Sequence, residues 1–279
     1  MTIEMQKVTL YKGDCRDCMK EMLDNGICVD LTVCSPPYDD LRTYNDDSTW
    51  NFGIFQEVAK GLYDVTRKGG VVVWVVADQT KNGGRTLTSF RQALYFQEIG
   101  FTFCDDIIFS KNSPAFPPKR DSKRYGNIYE HMFVLSNGKI RNDITLIADK
   151  PNKWYGKGSW GKCNNYGKDG TLIEGKKVTD IPEFSLRNNI WEYAVGINRD
   201  KEFGKHPAVF PEKLAEDHIR SWSNEGDTVF DPFMGSGTTG KCAVLNGRNF
   251  IGSEISEMYY DMSTKRIGKY FDGEIEEGL

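Results

Sequence analysis

Apolar positions along this chain follow two spacings, and the two take turns. Apolar runs at 8–11, 29–33, 71–76, 101–109, 128–135, 228–230 and 249–253 have the length and β-branched content of strands. Between them, 16–23, 52–66, 87–99, 211–222 and 240–245 carry apolar residues at helical spacing, as Met19, Met22 and Leu23 do. Lys68-Gly69-Gly70 reads as the glycine cap that ends the second helix, and Gly100 as the stop of the third. The run 71–76 is apolar at every position, as a parallel strand covered on both faces requires. The runs at 101–109 and 128–135 predict a hairpin-like pair at a sheet edge, joined through a proline-rich, basic stretch at 113–124. Strand and helix alternate throughout, which predicts an α/β fold with a doubly wound, mostly parallel sheet.

At 279 residues the chain can hold one large α/β domain plus an insertion. A net charge of −4 exerts no general pull on nucleic acid, so any DNA surface has to be local. Such a surface is predicted at 150–177, where Lys150, Lys153, Lys157, Lys162, Lys168, Lys176 and Lys177 meet only Asp169 and Glu174. Read alone this stretch is a solvated loop, but Trp154, Tyr155, Trp160 and Tyr166 among the lysines favour a nucleic-acid surface. Seven cysteines, an odd number, suit a reducing cytoplasm better than a disulfide framework. Cys15 and Cys18 have no second pair at zinc-finger spacing, so buried thiols are expected rather than a metal. No apolar run is long enough to span a bilayer, and no membrane association is expected.

Two strings carry chemistry. Cys34-Ser35-Pro36-Pro37-Tyr38 follows the second predicted strand and offers a hydroxyl, prolyl carbonyls free of any ladder and one aromatic face. These parts suit a flat, amino-bearing ring. Asp231-Pro-Phe233-Met-Gly235-Ser236-Gly237-Thr238-Thr239-Gly240 follows the strand at 228–230. Its glycines let backbone approach a cofactor, with a helix N-terminus aimed at polar groups. Ligands of doubly wound sheets bind beyond the carboxyl ends of strands, where the winding reverses. If the two strands are neighbours there, the strings share one crevice. The second string also satisfies most of a phosphate-loop pattern, but Cys242 stands where magnesium needs a hydroxyl, and thiols are poor magnesium ligands. Asp231 would also repel a triphosphate, so a nucleotide hydrolase is the weaker reading. Glu254 closes the next strand, where an acidic side chain meets ribose hydroxyls in dinucleotide folds.

Together the strings resemble the amino-methylating DNA methyltransferases, and their order resembles that family's beta class, over roughly residues 8–270. The resemblance implies a Rossmann-like class I methyltransferase fold, S-adenosylmethionine as cofactor and double-stranded DNA as substrate. It also implies a flipped target base and a restriction-modification setting, with pairing to a cognate restriction endonuclease and orphan action both left open. It places Asp14 near the cofactor's adenine, with Phe233 flanking that ring. His206 and Pro207, opening His-Pro-Ala-Val-Phe-Pro211, would lie against the methionine end, where Asp231 would meet the amino group. Gly235, Ser236, Gly237, Thr238, Thr239 and Glu254 complete the implied cofactor site. Ser35, Pro36, Pro37 and Tyr38 become the catalytic string. The Ser35 hydroxyl and Pro36 carbonyl would accept the two amino hydrogens while Tyr38 stacks on the base. Serine at the first position goes mostly with cytosine N4 in this family. The string Ile107-Ile-Phe109-Ser-Lys-Asn112 resembles one common in adenine enzymes too, so adenine N6 is the alternative. Methylation at cytosine C5 would need a thiolate, usually in a Pro-Cys pair, and no Pro-Cys occurs.

The predicted organisation is a catalytic half at 1–138, a target-recognition insertion at 139–195 and a cofactor-binding half at 196–279. Lys153, Trp154, Tyr155 and Trp160 are expected on DNA, with Lys119, Arg120, Lys123 and Arg124 holding phosphates. The polar loop 39–50, with Arg42 and Tyr44, is expected to be mobile without DNA and to close over the flipped base. A DNA-binding protein with a degenerate cofactor site is the remaining class, and two intact strings speak against it.

Overall fold

The computed structural model describes residues 6–37, 50–113, 123–158, 160–162, 164–175, 177–178, 180–194 and 211–278. Two compact units form: Met1–Thr145 with Asn189–Leu279, and Leu146–Asn188.

The first unit is built on one nine-stranded sheet. In chain order its strands are β1 (Val8–Lys12), β2 (Val29–Cys34), β3 (Thr66–Val76), β4 (Thr102–Lys111) and β5 (Tyr129–Ser136). They continue with β6 (Ile190–Tyr193), β7 (Thr228–Asp231), β8 (Asn249–Glu254) and β9 (Ile275–Glu277). The spatial order is β6-β4-β5-β3-β2-β7-β8-β1-β9. Every pairing is parallel except the two made by β5, which runs against β3 and β4. From β2 the chain winds towards β3, and from β7 it winds the other way towards β8. The reversal therefore falls between β2 and β7, where Val229 lies opposite Leu31 and Phe230 opposite Thr32.

Helices α1 (Cys15–Asp24), α2 (Phe52–Val65) and α3 (Thr88–Glu98) cover one face of this sheet. The other face carries α4 (Glu212–Trp222), α5 (Thr238–Leu245) and α6 (Glu257–Gly268). Strand β3 shows why both faces need cover. Val71, Val73 and Val75 enter the α4–α6 core while Val72, Trp74 and Val76 enter the other. Burying each such side chain stabilises the fold by roughly 1.5–3 kcal/mol. Cys15 and Cys18 belong to the α1–α3 core, and burial pushes both thiols up, as a packed rather than reactive sulfur behaves.

Two expectations change. Gly69 and Gly70 do not cap α2. The helix ends at Val65, and the Thr66 N–H and hydroxyl both donate to the Leu62 carbonyl, the hydroxyl at 2.6 Å. The glycines lie inside β3, where a Cβ on Gly70 would meet the Asp30 carbonyl oxygen at 3.0 Å. Gly70 marks a close strand approach where the β2–β3 register shifts, while Gly69, at φ +79°, lies against Lys139 and Arg141. Strands β4 and β5 pair antiparallel as expected but do not form the edge, because β6 covers β4. Helix α6 and strand β9 were not foreseen.

The second unit, Leu146–Asn188, consists of short antiparallel pairings. Lys150–Pro151 pairs Phe184–Ser185, Trp160–Lys162 pairs Lys177–Val178, and Asn165–Tyr166 pairs Leu172–Ile173. It lies within the stretch 139–195 read as an insertion, whereas β6, from the same stretch, joins the main sheet.

Candidate active site

Both strings leave the carboxyl ends of adjacent strands at the winding reversal. Ser35, Pro36 and Pro37 continue β2, with Pro36 buried and the other two half-buried. From β7 the chain enters the glycine loop, and three neighbours pin it. The Gly235 N–H donates to Glu254 Oε2 at 2.7 Å, and the Met234 N–H to the Ser253 carbonyl at 2.9 Å, tying the loop to β8. The Thr239 hydroxyl donates to the Val33 carbonyl at 3.3 Å, tying the start of α5 to β2 one residue before Cys34. At Gly237 φ is +78°, and a Cβ there would stand 2.9 Å from Ser263 Cβ, so only glycine suits the turn into α5.

The rim is acidic. Asp231 is 1% exposed, and burial pushes its carboxyl up to about 7. The nearby Thr239 hydroxyl and the Phe233 N–H, 3.0 Å from Asp231 Oδ1, pull the other way, while Glu254 adds repulsion. Glu254 also accepts the Ser256 N–H at 2.9 Å. Asp14 caps α1 and accepts the Arg16 N–H at 2.9 Å. The Arg16 guanidinium holds the Asp14 carboxyl below its ordinary value. The Gly13 N–H donates to the Glu254 carbonyl at 3.0 Å, so Asp14 and Glu254 stand at neighbouring strand ends. Phe233 is half-buried and meets the Trp50 ring edge-on, with centroids 5.4 Å apart.

This donor set fits S-adenosylmethionine. Its ammonium and sulfonium are cations that suit an acidic rim, its hydroxyls suit Glu254, and its carboxylate suits the first-turn N–H groups of α5. A triphosphate does not fit. Lys241, which a phosphate loop would need on the ligand, instead donates to Glu212 Oε1 at 2.8 Å and lies 4.6 Å from the Tyr270 ring centroid. The hydrolase reading is thereby corrected.

Tyr38, Arg42, Lys119, Arg120, His206, Pro207 and nearly all of the loop 39–50 lie outside the described residues, as does the Trp160 side chain. Lys123 and Arg124 are exposed, and Arg124 donates to the Gly83 carbonyl. In the second unit Lys153 is exposed, Trp154 is 49% exposed and Tyr155 55%. That unit holds eight basic against five acidic residues in a chain that is acidic as a whole. Sequence reading missed Arg266 and Glu212, which grip the glycine loop from behind. The signal was an arginine in register with the buried Tyr260, Ser263 and Ile267 of α6.

Comparisons with known proteins agree with this geometry. A profile of the family described as DNA methylase matches residues 29–265. The orphan methyltransferase M.BamHII of Bacillus amyloliquefaciens is 52% identical over 256 residues, spanning 90% of this chain and 93% of that one. The DNA adenine methyltransferase YhdJ of Escherichia coli (strain K12) is 28% identical, over 86% of this chain and 76% of its own. Among solved structures, the cytosine-N4-specific PvuII DNA methyltransferase shares the fold with a TM-score of 0.67 at 19% identity, over 98% of this chain and 96% of that one.

Proposed function

This chain belongs to the DNA methylase family, whose members transfer methyl groups from S-adenosylmethionine to cytosine N4 or adenine N6, and from that premise we propose that its target is cytosine N4. The observation that carries the site is the pairing of β2 with β7, which sets Ser35 and the glycine loop side by side.

Bound S-adenosylmethionine supplies an electrophilic methyl group on a cationic sulfur, so the protein needs no strong general base. Its own residues orient and stabilise. The Ser35 hydroxyl and Pro36 carbonyl accept the amino hydrogens, direct the nitrogen lone pair and relieve the positive charge that builds there. Asp231 would meet the cofactor's ammonium, Glu254 its ribose hydroxyls, and the start of α5 its carboxylate. Serine at position 35 supports cytosine. The adenine alternative draws support from the 28% identical YhdJ, named an adenine methyltransferase.

The unit Leu146–Asn188 is assigned to target recognition on its exposed Trp154 and Tyr155 and its basic surplus. The relative M.BamHII is called an orphan methyltransferase, which supports a chain that acts without a paired endonuclease. Methylation-aware sequencing of DNA from cells expressing the chain tests the proposal. N4-methylcytosine in one fixed context supports it, N6-methyladenine moves the target to adenine, and unmodified DNA refutes both.

A further inference from the structure

Behind the glycine loop, on the side away from the crevice, lies a buried ionic cluster that none of the motifs above assigns. Arg266, near the end of α6, is 1% exposed. Its Nη1 donates to the Ser236 carbonyl at 3.0 Å, the Ser236 hydroxyl at 3.1 Å and the Thr238 hydroxyl at 3.1 Å. Its Nη2 donates to Glu212 Oε1 at 2.8 Å. Glu212, the first residue of α4, also accepts from Lys241 of α5. Two cations thus share one carboxylate beneath the N-terminus of α5.

Burying a guanidinium costs several kcal/mol, offset only by good geometry and by partners for its donors, and an apolar side chain would join α6 to α5 at less cost. What an apolar side chain could not do is fix direction. The planar fork of arginine holds three acceptors of the loop at set angles. It turns the Ser236 carbonyl and both hydroxyls backward, which prevents the Ser236–Gly237 peptide from flipping. Within the loop the Gly237 N–H is taken by the Met234 carbonyl at 2.8 Å, so the groups offered to a ligand are the N–H groups that open α5, and the surplus positive charge beside them adds to the dipole of that helix.

We propose that Arg266, held by Glu212, is a positioning residue that sets the loop Ser236–Thr238 to receive the carboxylate of the cofactor's amino-acid moiety. This rests on reading that loop as the cofactor site. It predicts selectivity: disturbing Arg266 should harm ligands that carry the amino acid and spare those that lack it.

The test is calorimetry on the full chain with two probes, S-adenosylhomocysteine and 5′-methylthioadenosine, the second being the same nucleoside thioether without the amino acid. Arg266→Met should weaken S-adenosylhomocysteine about tenfold or more, the size of one charge-assisted hydrogen bond, and change methylthioadenosine by less than about twofold. Arg266→Lys should fall between, because it keeps the charge and loses the fork, and Glu212→Gln should weaken the same ligand in the same direction. Should Arg266→Met fail to fold, the latter two variants decide alone. Equal losses on both probes, or unchanged affinity for S-adenosylhomocysteine, would overturn the proposal. Those results leave the cofactor reading intact, whereas a wild-type chain that binds neither probe defeats both.

Discussion

Asp231 carries the most pH-sensitive chemistry of the site. With its carboxyl at about 7 in the folded chain, it is partly protonated near neutrality, while a bound ammonium favours the ionised form. Cofactor binding should therefore release a proton, and affinity should rise as pH increases through about 7. Calorimetry in buffers of different ionisation enthalpy measures that release, and Asp231→Asn should abolish it while weakening binding. Stability without ligand runs the opposite way. A carboxyl whose folded pKa lies above its ordinary 3.8 costs stability above pH 7, and the cost fades as pH falls towards 4. Asp231→Asn should accordingly melt higher than wild type at pH 8 without cofactor, and an unchanged or lower melting point would contradict the burial argument. Ser35 makes a contrasting case, since its role lies in the attacking amine. Ser35→Ala should leave S-adenosylmethionine affinity unchanged and slow methyl transfer on the order of a hundredfold, as loss of one pre-set polar contact does. Single-turnover rates at saturating DNA measure it.

Helix α5 is where backbone and core constraints meet. Gly240 sits in its first turn, and a Cβ there would stand 2.5 Å from Ile267 Cδ1 and 2.6 Å from Phe250 Cε1. Gly240→Ala gains helix propensity, about 1 kcal/mol. Overpacking α5 against α6 and β8 opposes that gain with about 1–3 kcal/mol. A lowered urea midpoint together with weaker cofactor binding is expected, because the same helix presents the loop. Such elements differed in how legible they were. Val71 to Val76 and the two turn strings could be read because their periodicity and chemistry are local. Gly69 and Gly70 looked like a cap because a glycine pair after a helical run is common, yet Gly70 serves a close approach to Asp30 and Gly69, at φ +79°, one to Lys139 and Arg141, all distant in sequence. Strand β6 was missed for the same reason: its partner β4 lies some eighty residues upstream, as in the pairing of Ile190 with Ile108. Arg266 escaped notice because its four acceptors come from α4 and the glycine loop, brought together only by the fold.

At the scale of the whole molecule, the proposed function divides chemistry and target choice between the two compact units. The unit Leu146–Asn188 begins and ends as a paired stem, for the Arg187 N–H donates to the Ile147 carbonyl at 3.1 Å and Lys150–Pro151 pairs Phe184–Ser185. Arg187 and Asp149 form an ion pair in the same stem. Its two ends therefore leave side by side, and a short flexible linker can replace everything between Thr145 and Asn189. The excised chain should fold, because both hydrophobic cores are built from the remaining unit. It should bind S-adenosylhomocysteine within about twofold of wild type, as one linker set against an intact pocket implies. What it should lose is discrimination between cognate and random DNA. In the intact chain, Trp154→Ala with Tyr155→Ala should weaken cognate DNA by roughly 1–3 kcal/mol per stacked base and random DNA by less. Titrations of both duplexes at several salt concentrations separate the outcomes. A selective loss with unchanged salt slope supports target recognition, and equal losses reduce the unit to a general clamp. An excised chain that still marks one sequence would return target choice to the main unit.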